Sequence, residues 1–152
     1  MNVSEKIKNA FARVEITERP AGRTYVLVAK EDLRAVAGFI CAELGGRLST
    51  ISAVDLRSGV ELLYHLALND AGAIVSLRVH VDKPELEIGS LTDIIPAADW
   101  IEREIGEMFG LFFVGHPRLE RLLLPDDWPA GKYPLRKKSF ESENELPEGA
   151  NG

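Results

Sequence analysis

Residues 47–82 read RLSTISAVDLRSGVELLYHLALNDAGAIVSLRVHVD, and this stretch decides the fold. Two glycine-containing turns divide it into three runs that are rich in β-formers, Arg47–Leu56, Val60–Asn69 and Ala73–Asp82. In the third run valine and leucine alternate with polar residues. This period of two is typical of a strand with one buried face and one solvent-exposed face. The stretch therefore predicts a three-stranded antiparallel meander.

The flanking sequence adds helices and one further strand. Ser4 is a candidate N-cap for a helix over Glu5–Arg13, and Thr24–Ala29 has the composition of a short strand. Lys30–Leu44 then changes to helical periodicity, and Gly45 is placed to end it. The predicted fold class is α+β, a two-layer sandwich of a small, mostly antiparallel sheet with helices on one face.

A third helix is predicted over Ala97–Phe109. Its apolar stripe is expected to contain Ile101, Ile105, Met108 and Phe112. After it the periodicity fades, although leucine, tryptophan and tyrosine persist. We therefore predict a core domain over residues 1–114, an extended partner-binding segment over residues 115–140, called the strap below, and a disordered tail over residues 141–152.

Bulk composition excludes several classes of protein. A chain of 152 residues with a net charge of −6 has the size of one domain and lacks the basic character of a nucleic-acid binder. No apolar run reaches the length that spans a bilayer, and the first residues do not resemble a signal peptide. The single cysteine, Cys41, rules out an internal disulfide or a cysteine-rich metal cage, and we expect a buried thiol.

The third helix is unusually rich in charge. Glu102, Arg103, Glu104 and Glu107 fall within six residues, and their spacing favours a solvated charged face on which Arg103 and Glu107 can pair. Gly106 lowers the helix propensity by about 1 kcal/mol relative to alanine. We expect that this glycine lets another backbone approach the helix closely.

Four segments together resemble the family of the C subunit of respiratory complex I. They are the run DWIEREIGEMFG at 99–110, GHP at 115–117, RLLLPDDW at 121–128 and PLRK at 134–137. The same domain occurs in energy-converting membrane-bound hydrogenases and formate hydrogenlyases. The residues that match the family signature are Glu102, Arg103, Glu104, Glu107, Met108, Phe109 and His116.

The resemblance implies a subunit without a catalytic, cofactor-binding or metal site of its own. Iron–sulfur clusters, flavin or a nickel–iron centre are then expected only in partner subunits. The implied role is to brace the large hydrogenase-like subunit, which carries the quinone site, beside a small iron–sulfur subunit. Electron transfer in such enzymes is coupled to ion translocation, and the expected location is the cytoplasmic side of the membrane, held there by other subunits.

The strap is the predicted contact with the large subunit. Its arginines are expected to form charge-assisted pairs with the partner, and its aromatic and leucine side chains to be apolar anchors. The predicted interface residues are Arg103, Arg118, Arg121, Trp128, Tyr133, Leu135 and Arg136. Truncation after Gly115 is then expected to leave a folded domain that no longer joins the complex.

Other functions remain open at this point. The chain could be the equivalent subunit of a membrane-bound hydrogenase or formate hydrogenlyase, or a free-standing adaptor. An independent enzyme using Glu102, Glu104 and His116 as acid–base groups has no motif behind it.

Metal binding by the histidines is disfavoured. A turn at residue 70 places His65 and His80 on one face of the sheet but separates them by about 13 Å, which is too far for one ion. In the same register His80 lies opposite Glu61, so a surface pair of these two residues is expected instead.

Overall fold

A computed structural model describes residues 1–137. It contains three helices, which are α1 (Val3–Ala10), α2 (Leu33–Leu44) and α3 (Ala98–Phe109). Its strands are β1 (Glu15–Arg19), β2 (Arg23–Leu27), β3 (Arg47–Leu56), β4 (Gly59–Leu68), β5 (Ala73–Asp82), β6 (Glu87–Gly89) and β7 (Phe112–Val114). Residues 115–137 of the strap have no helix or strand, and the predicted tail lies outside the described residues.

Five strands form one mixed sheet in the order β1-β2-β5-β4-β3. The β2–β5 pair is parallel and the other pairs are antiparallel, so the α+β class with a mostly antiparallel sheet is confirmed. The predicted meander is β3-β4-β5, and the bounds of β3 and β5 agree with the prediction. Strands β6 and β7 make a separate two-stranded parallel sheet.

Strands β1, β6 and β7 were not predicted from the sequence. Strand β1 reads EITER, and its three charges hide the apolar alternation on which strand prediction depends. Strands β6 and β7 have three residues each, which is too short for any period to be visible. Their pairing depends on long-range contacts, so local sequence carries little information about it.

The inner face of the sheet is apolar across its width. Val26, Leu77, Tyr64 and Ile51 are successive register partners from β2 to β3, and all are buried. Helix α2 packs here through an apolar stripe in which Leu33, Val36, Ala37 and Ile40 are buried.

The outer face of the sheet is more polar, as the alternation predicted. His65 lies opposite Ser76, and Glu61 opposite His80, which confirms the register inferred from the turn at residue 70. The Nδ1 atom of His65 is 2.7 Å from Ser76 Oγ. His80 approaches Asp82 at 3.1 Å rather than Glu61, so the surface pair that register alone suggests is wrong.

The start of α1 and the end of α3 follow local capping chemistry. Helix α1 begins earlier than predicted because Asn2, not Ser4, is the N-cap and forms a capping box with Glu5. Helix α3 ends at Phe109, followed by Gly110 with φ of 77°. Phe112 therefore leaves the predicted apolar stripe and lies on β7, where it is exposed.

Candidate interaction site on helix α3 and the strap

Glu102 lies inside the protein and not on a solvated face, which corrects the sequence-based expectation. Its side chain is fully buried. Glu102 Oε1 accepts a hydrogen bond from the backbone N–H of Leu91 at 2.8 Å, and Oε2 accepts one from the Ser90 hydroxyl at 2.6 Å. The carboxylate thus ties α3 to the loop that follows β6.

The buried stripe of α3 explains this position. Its members are Ala98, Glu102, Ile105 and Phe109, at spacings of four, three and four residues. Glu102 occupies the place of an apolar residue in this stripe. Burial raises the pKa of its carboxyl group, opposed by the Leu91 and Ser90 hydrogen bonds and by the nearby His116.

His116, the last signature residue, is also enclosed. Its side chain has no exposed surface, and its Nδ1 accepts a hydrogen bond from the backbone N–H of Arg118 at 2.9 Å. A neutral ring therefore carries its proton on Nε2, which donates to the Asp99 carbonyl at 3.1 Å. His116 Nε2 is 4.0 Å from Glu102 Oε2. Because the Glu102 and His116 side chains are shut away from solvent, the cluster is suited to holding elements together.

Arg34 joins helix α2 to the same loop. Its guanidinium group donates to the Ser90 carbonyl at 2.6 Å and makes two bonds with the Asp93 carboxylate. Asp93 raises the pKa of Arg34, and Arg34 lowers that of Asp93, because each stabilises the charged form of the other. The signature helix is therefore connected to α2 through residues 90–93.

Arg103 and Glu107 hold the strap by its backbone. The Arg103 guanidinium donates to the carbonyls of Glu120 and Arg121 at 3.2 and 3.1 Å. The Glu107 carboxylate accepts the backbone N–H groups of Leu122 and Leu123. These charge-assisted bonds satisfy main-chain groups in a segment that has no secondary structure of its own.

Gly106 and Gly110 lie where the signature helix comes close to other parts of the chain. A Cβ on Gly106 would lie 3.1 Å from the Leu111 carbonyl and 3.5 Å from Leu119 Cδ1, so the expected close approach is present. At Gly110 a Cβ would collide with Arg136 and would lie 2.6 Å from the Tyr133 ring. At Gly106 the tight contact is thus with the backbone that follows the helix, whereas at Gly110 both the strap and the left-handed backbone disfavour a side chain.

The other predicted interface arginines also bond within the chain. Arg121 donates to the carbonyls of Pro125, Asp126 and Trp128, and so shapes a turn of the strap. Arg136 donates to the Phe109 carbonyl at 2.7 Å, and its guanidinium lies 4.3 Å from the centre of the Tyr133 ring. Arg118 is exposed and lies 3.1 Å from Glu120.

The remaining signature and interface side chains differ in exposure. Phe109 is buried, Met108 is half-buried and Glu104 is exposed. In the strap Trp128 and Tyr133 are half-buried, and the Trp128 indole donates to the Lys132 carbonyl. Leu135 is 55% exposed, and Leu123, which was not predicted as an interface residue, is 58% exposed.

A cleft of about 280 Å³ lies between α3 and the strap. It is lined by Arg103, Glu107, Leu119, Leu124, Trp128 and Tyr133, among others. A second cleft of about 350 Å³ separates β3 from α3 and includes Leu135. The exposed leucines and these clefts make the strap side of α3 a candidate surface for a partner.

Asp55, which was not predicted from the sequence, fastens the end of the described strap. Its side chain is 1% exposed and lies 2.6 Å from Lys83 Nζ, while its second oxygen accepts the backbone N–H of Lys137. Ser90 and Asp99 were not predicted either. The available signal for Asp55 was an acidic residue at a core position of a strand, and the signal for Asp99 was its place at the start of the family-like run. Ser90 had no such signal.

Several known proteins are similar to this chain in sequence. A family model described as the 30 Kd subunit of respiratory-chain NADH dehydrogenase matches residues 26–145. The C subunit of the F(420)H(2) dehydrogenase of Methanosarcina mazei is 35% identical, over 90% of this chain and 86% of its own length. Formate hydrogenlyase subunit 5 of Escherichia coli K12 is 40% identical over 76% of this chain. The C/D polypeptide of the NADH-quinone oxidoreductase of Psychrobacter arcticus is 34% identical over 90% of it.

Coverage of these relatives is uneven. The chain spans 21% of formate hydrogenlyase subunit 5 and 27% of the C/D polypeptide. Among solved structures, a chain of the membrane-bound sulfane sulfur reductase, an archaeal respiratory membrane complex, has the same fold. The TM-score is 0.81 at 21% identity, over 99% of this chain and 96% of that one.

A trypsin-resistant fragment of Nqo5 has a TM-score of 0.66 at 23% identity, over 78% of this chain and all of the fragment. In the part of this chain that the structure describes, no helix is long and apolar enough to cross a membrane. The match of the family model over most of the chain, together with the fold, shows that this chain belongs to the family of the 30 Kd subunit of respiratory-chain NADH dehydrogenase.

Proposed function

We propose that this chain is a non-redox subunit of a complex I-like or hydrogenase-related membrane complex, in which it braces the large hydrogenase-like subunit. The observation that carries the proposal is the family match over residues 26–145, which includes α3 and the strap. Relatives named for subunits of NADH-quinone oxidoreductase, formate hydrogenlyase and F(420)H(2) dehydrogenase support a place in a multi-subunit redox enzyme.

The choice of the large subunit as partner is supported by the longer relatives. In the C/D polypeptide the region that matches this chain is part of one protein whose name joins two subunits. The remainder of that polypeptide is covalently held next to the matching region. Where the two subunits are separate chains, a non-covalent surface would have to replace that link.

The strap is the surface that we propose for this contact. Arg103 and Glu107 hold its backbone, so it is ordered before a partner arrives, which lowers the entropy cost of binding. Leu123 and Leu135 remain exposed and can be buried by a partner. The predicted interface arginines contribute mainly by shaping the strap, since most of their guanidinium groups already bond to backbone carbonyls of this chain.

The proposal extends to cofactors, coupling and place in the cell. Iron–sulfur clusters, flavin or a nickel–iron centre would lie in the partner subunits, including a small iron–sulfur subunit. The complex would couple electron transfer to ion translocation. Its other subunits would hold this chain at the cytoplasmic side of the membrane.

A second candidate function is the equivalent place in an energy-converting hydrogenase or formate hydrogenlyase. The 40% identity to formate hydrogenlyase subunit 5 favours it. Sequencing the large subunit that co-purifies with this chain discriminates the two candidates, because a nickel-binding set of cysteines belongs to the hydrogenase type.

Co-purification of an affinity-tagged chain from the cells that produce it tests the strap. In the double variant Leu123→Ser/Leu135→Ser, we expect that the large subunit is lost from the preparation while the chain stays folded. The matched control is Val54→Ser/Phe112→Ser, which removes two exposed apolar side chains from β3 and β7 and should keep the partner.

Two results would contradict the proposal. Equal recovery of the large subunit with both double variants would exclude the strap as the contact. A wild-type chain that co-purifies with no redox subunit at all would favour the free-standing adaptor.

A further inference from the structure

A cationic cleft lies on the outer face of the sheet, away from α3 and the strap. It has a volume of about 340 Å³ and is lined by Thr17, Arg19, Arg23, Tyr25 and Arg78. Three guanidinium groups around one cleft are unexpected in a chain whose net charge is −6. The signature residues and the family resemblance give no account of them.

Strand register brings the arginines together. Arg19 and Arg23 are direct partners across the β1–β2 pair, and Leu27, the next residue after Tyr25 on the same face, is the partner of Arg78. All three arginines therefore point to the outer face. Like charges directly opposite each other destabilise an antiparallel pair. The sheet keeps this unfavourable pair although a neutral or acidic residue at either position would relieve it.

The charges of the cleft are only partly balanced within the protein. Arg78 lies 3.4 Å from the Glu61 carboxylate and 5.6 Å from the centre of the Tyr25 ring. Arg23 reaches its own turn, where Nε is 3.4 Å from the Pro20 carbonyl. Within residues 1–137 the Arg19 guanidinium forms no hydrogen bond or ion pair.

We propose that this cleft is a second docking surface, which binds an acidic segment of a partner polypeptide through carboxylate–guanidinium pairs. Carboxylates between Arg19 and Arg23 would remove the repulsion across β1–β2, and the planar guanidinium groups suit bidentate contact. Because β1 is the edge of the sheet, the cleft is open on one side and an extended segment can enter it. Clusters of arginine are a recurring means of recognising acidic segments. The inference does not depend on what the strap binds.

A fluorescein-labelled hexaglutamate peptide provides the probe, and fluorescence anisotropy with the full chain provides the measurement. We expect binding that weakens as salt rises from low to physiological concentration. The variant Arg19→Glu should bind about tenfold more weakly or worse. Its thermal midpoint should equal or exceed that of the wild type, since the introduced carboxylate would face Arg23 as an opposite charge.

The matched control is Lys6→Glu, which makes the same change of charge on helix α1, on the other side of the sheet, and should bind the peptide like the wild type. If Arg19→Glu and Lys6→Glu weaken peptide binding equally, net charge alone governs the binding and the proposal is wrong. The proposal is also wrong if Arg19→Glu binds the peptide as tightly as the wild type. The proposal would also fail if phosphatidylglycerol vesicles or inorganic phosphate bound at this cleft and the peptide did not.

Discussion

Glu102 occupies a core position of α3 and keeps two hydrogen bonds, to Leu91 N–H and the Ser90 hydroxyl. Glu102→Ala leaves the buried Leu91 N–H without its partner, leaves the Ser90 hydroxyl with Thr92 Oγ1 at 2.9 Å, and opens a cavity. We expect the free energy of unfolding to fall by about 3 kcal/mol, measured by urea denaturation. Glu104→Ala, two positions away on the exposed side, is the control and should change it by less than about 0.5 kcal/mol. Equal effects would mean that Glu102 faces solvent.

The same carboxyl group makes stability depend on pH. Its pKa is raised in the folded state, chiefly by burial, so the folded protein holds this proton at pH values where the unfolded chain has lost it. The contribution of Glu102 to the free energy of unfolding is therefore largest below the ordinary pKa of glutamate. It decreases as the pH rises toward the pKa that Glu102 has in the folded protein. Urea denaturation of wild type and Glu102→Gln across this range should show the stability advantage of the wild type shrinking with rising pH. An advantage that grows with pH would refute the buried assignment.

At the scale of elements, two helices end on a left-handed glycine, but only one end is covered. Gly45 after α2 has φ of 68° and nothing within 4 Å of an ideal Cβ position, whereas Gly110 after α3 lies against Tyr133 and Arg136. Gly45→Ala should lower the unfolding free energy by about 1 kcal/mol for its backbone alone. Gly110→Ala should lower it by about 2 to 3 kcal/mol, because the strap must also move. Equal losses in denaturation would show that the strap does not pack on α3.

The fastening of the strap can be tested through Glu107. Glu107→Ala removes the carboxylate that accepts the Leu122 and Leu123 N–H groups. The free energy needed to open the strap locally should fall by about 1.4 kcal/mol. Trypsin cleavage after Arg121 should then become about tenfold faster, while the free energy of global unfolding changes little. Mass spectrometry of the digest identifies the cut. Glu104→Ala is again the control, and a Glu107→Ala chain cut at the wild-type rate would count against the clamp.

At the scale of the whole molecule, the domain division at residue 114 stays a prediction, but the structure changes how truncation should be designed. The His116 ring is enclosed against Asp99, and Leu119 packs on Gly106. A chain ending at Leu119 should therefore be more stable than one ending at Gly115 by about 2 kcal/mol in denaturation experiments. Equal stability of the two truncated chains would place His116 outside the cooperative core.

Much of the fold was predictable because its signals are local. The alternation in β5, the glycine-containing turns before β4 and β5 and the period of α2 come from residues within ten positions of each other, and capping glycines mark both longer helices. Strand β1 and the β6–β7 pair were not predictable, since their charge or length removes the local pattern. The position of β2 as a parallel partner of β5 is likewise a long-range contact.

The signature shows the same division. The sequence alone determined the family resemblance, the α+β class and the location of the signature on a helix, because these depend on residue identity and spacing. Only the tertiary structure decided that Glu102 and His116 are enclosed and that Arg103 and Glu107 hold the strap backbone. A charged side chain on a helix has no fixed environment until the loop after β6 and the strap pack against it. Those segments have no periodicity of their own, and their contacts with α3 are what set the role of each charge.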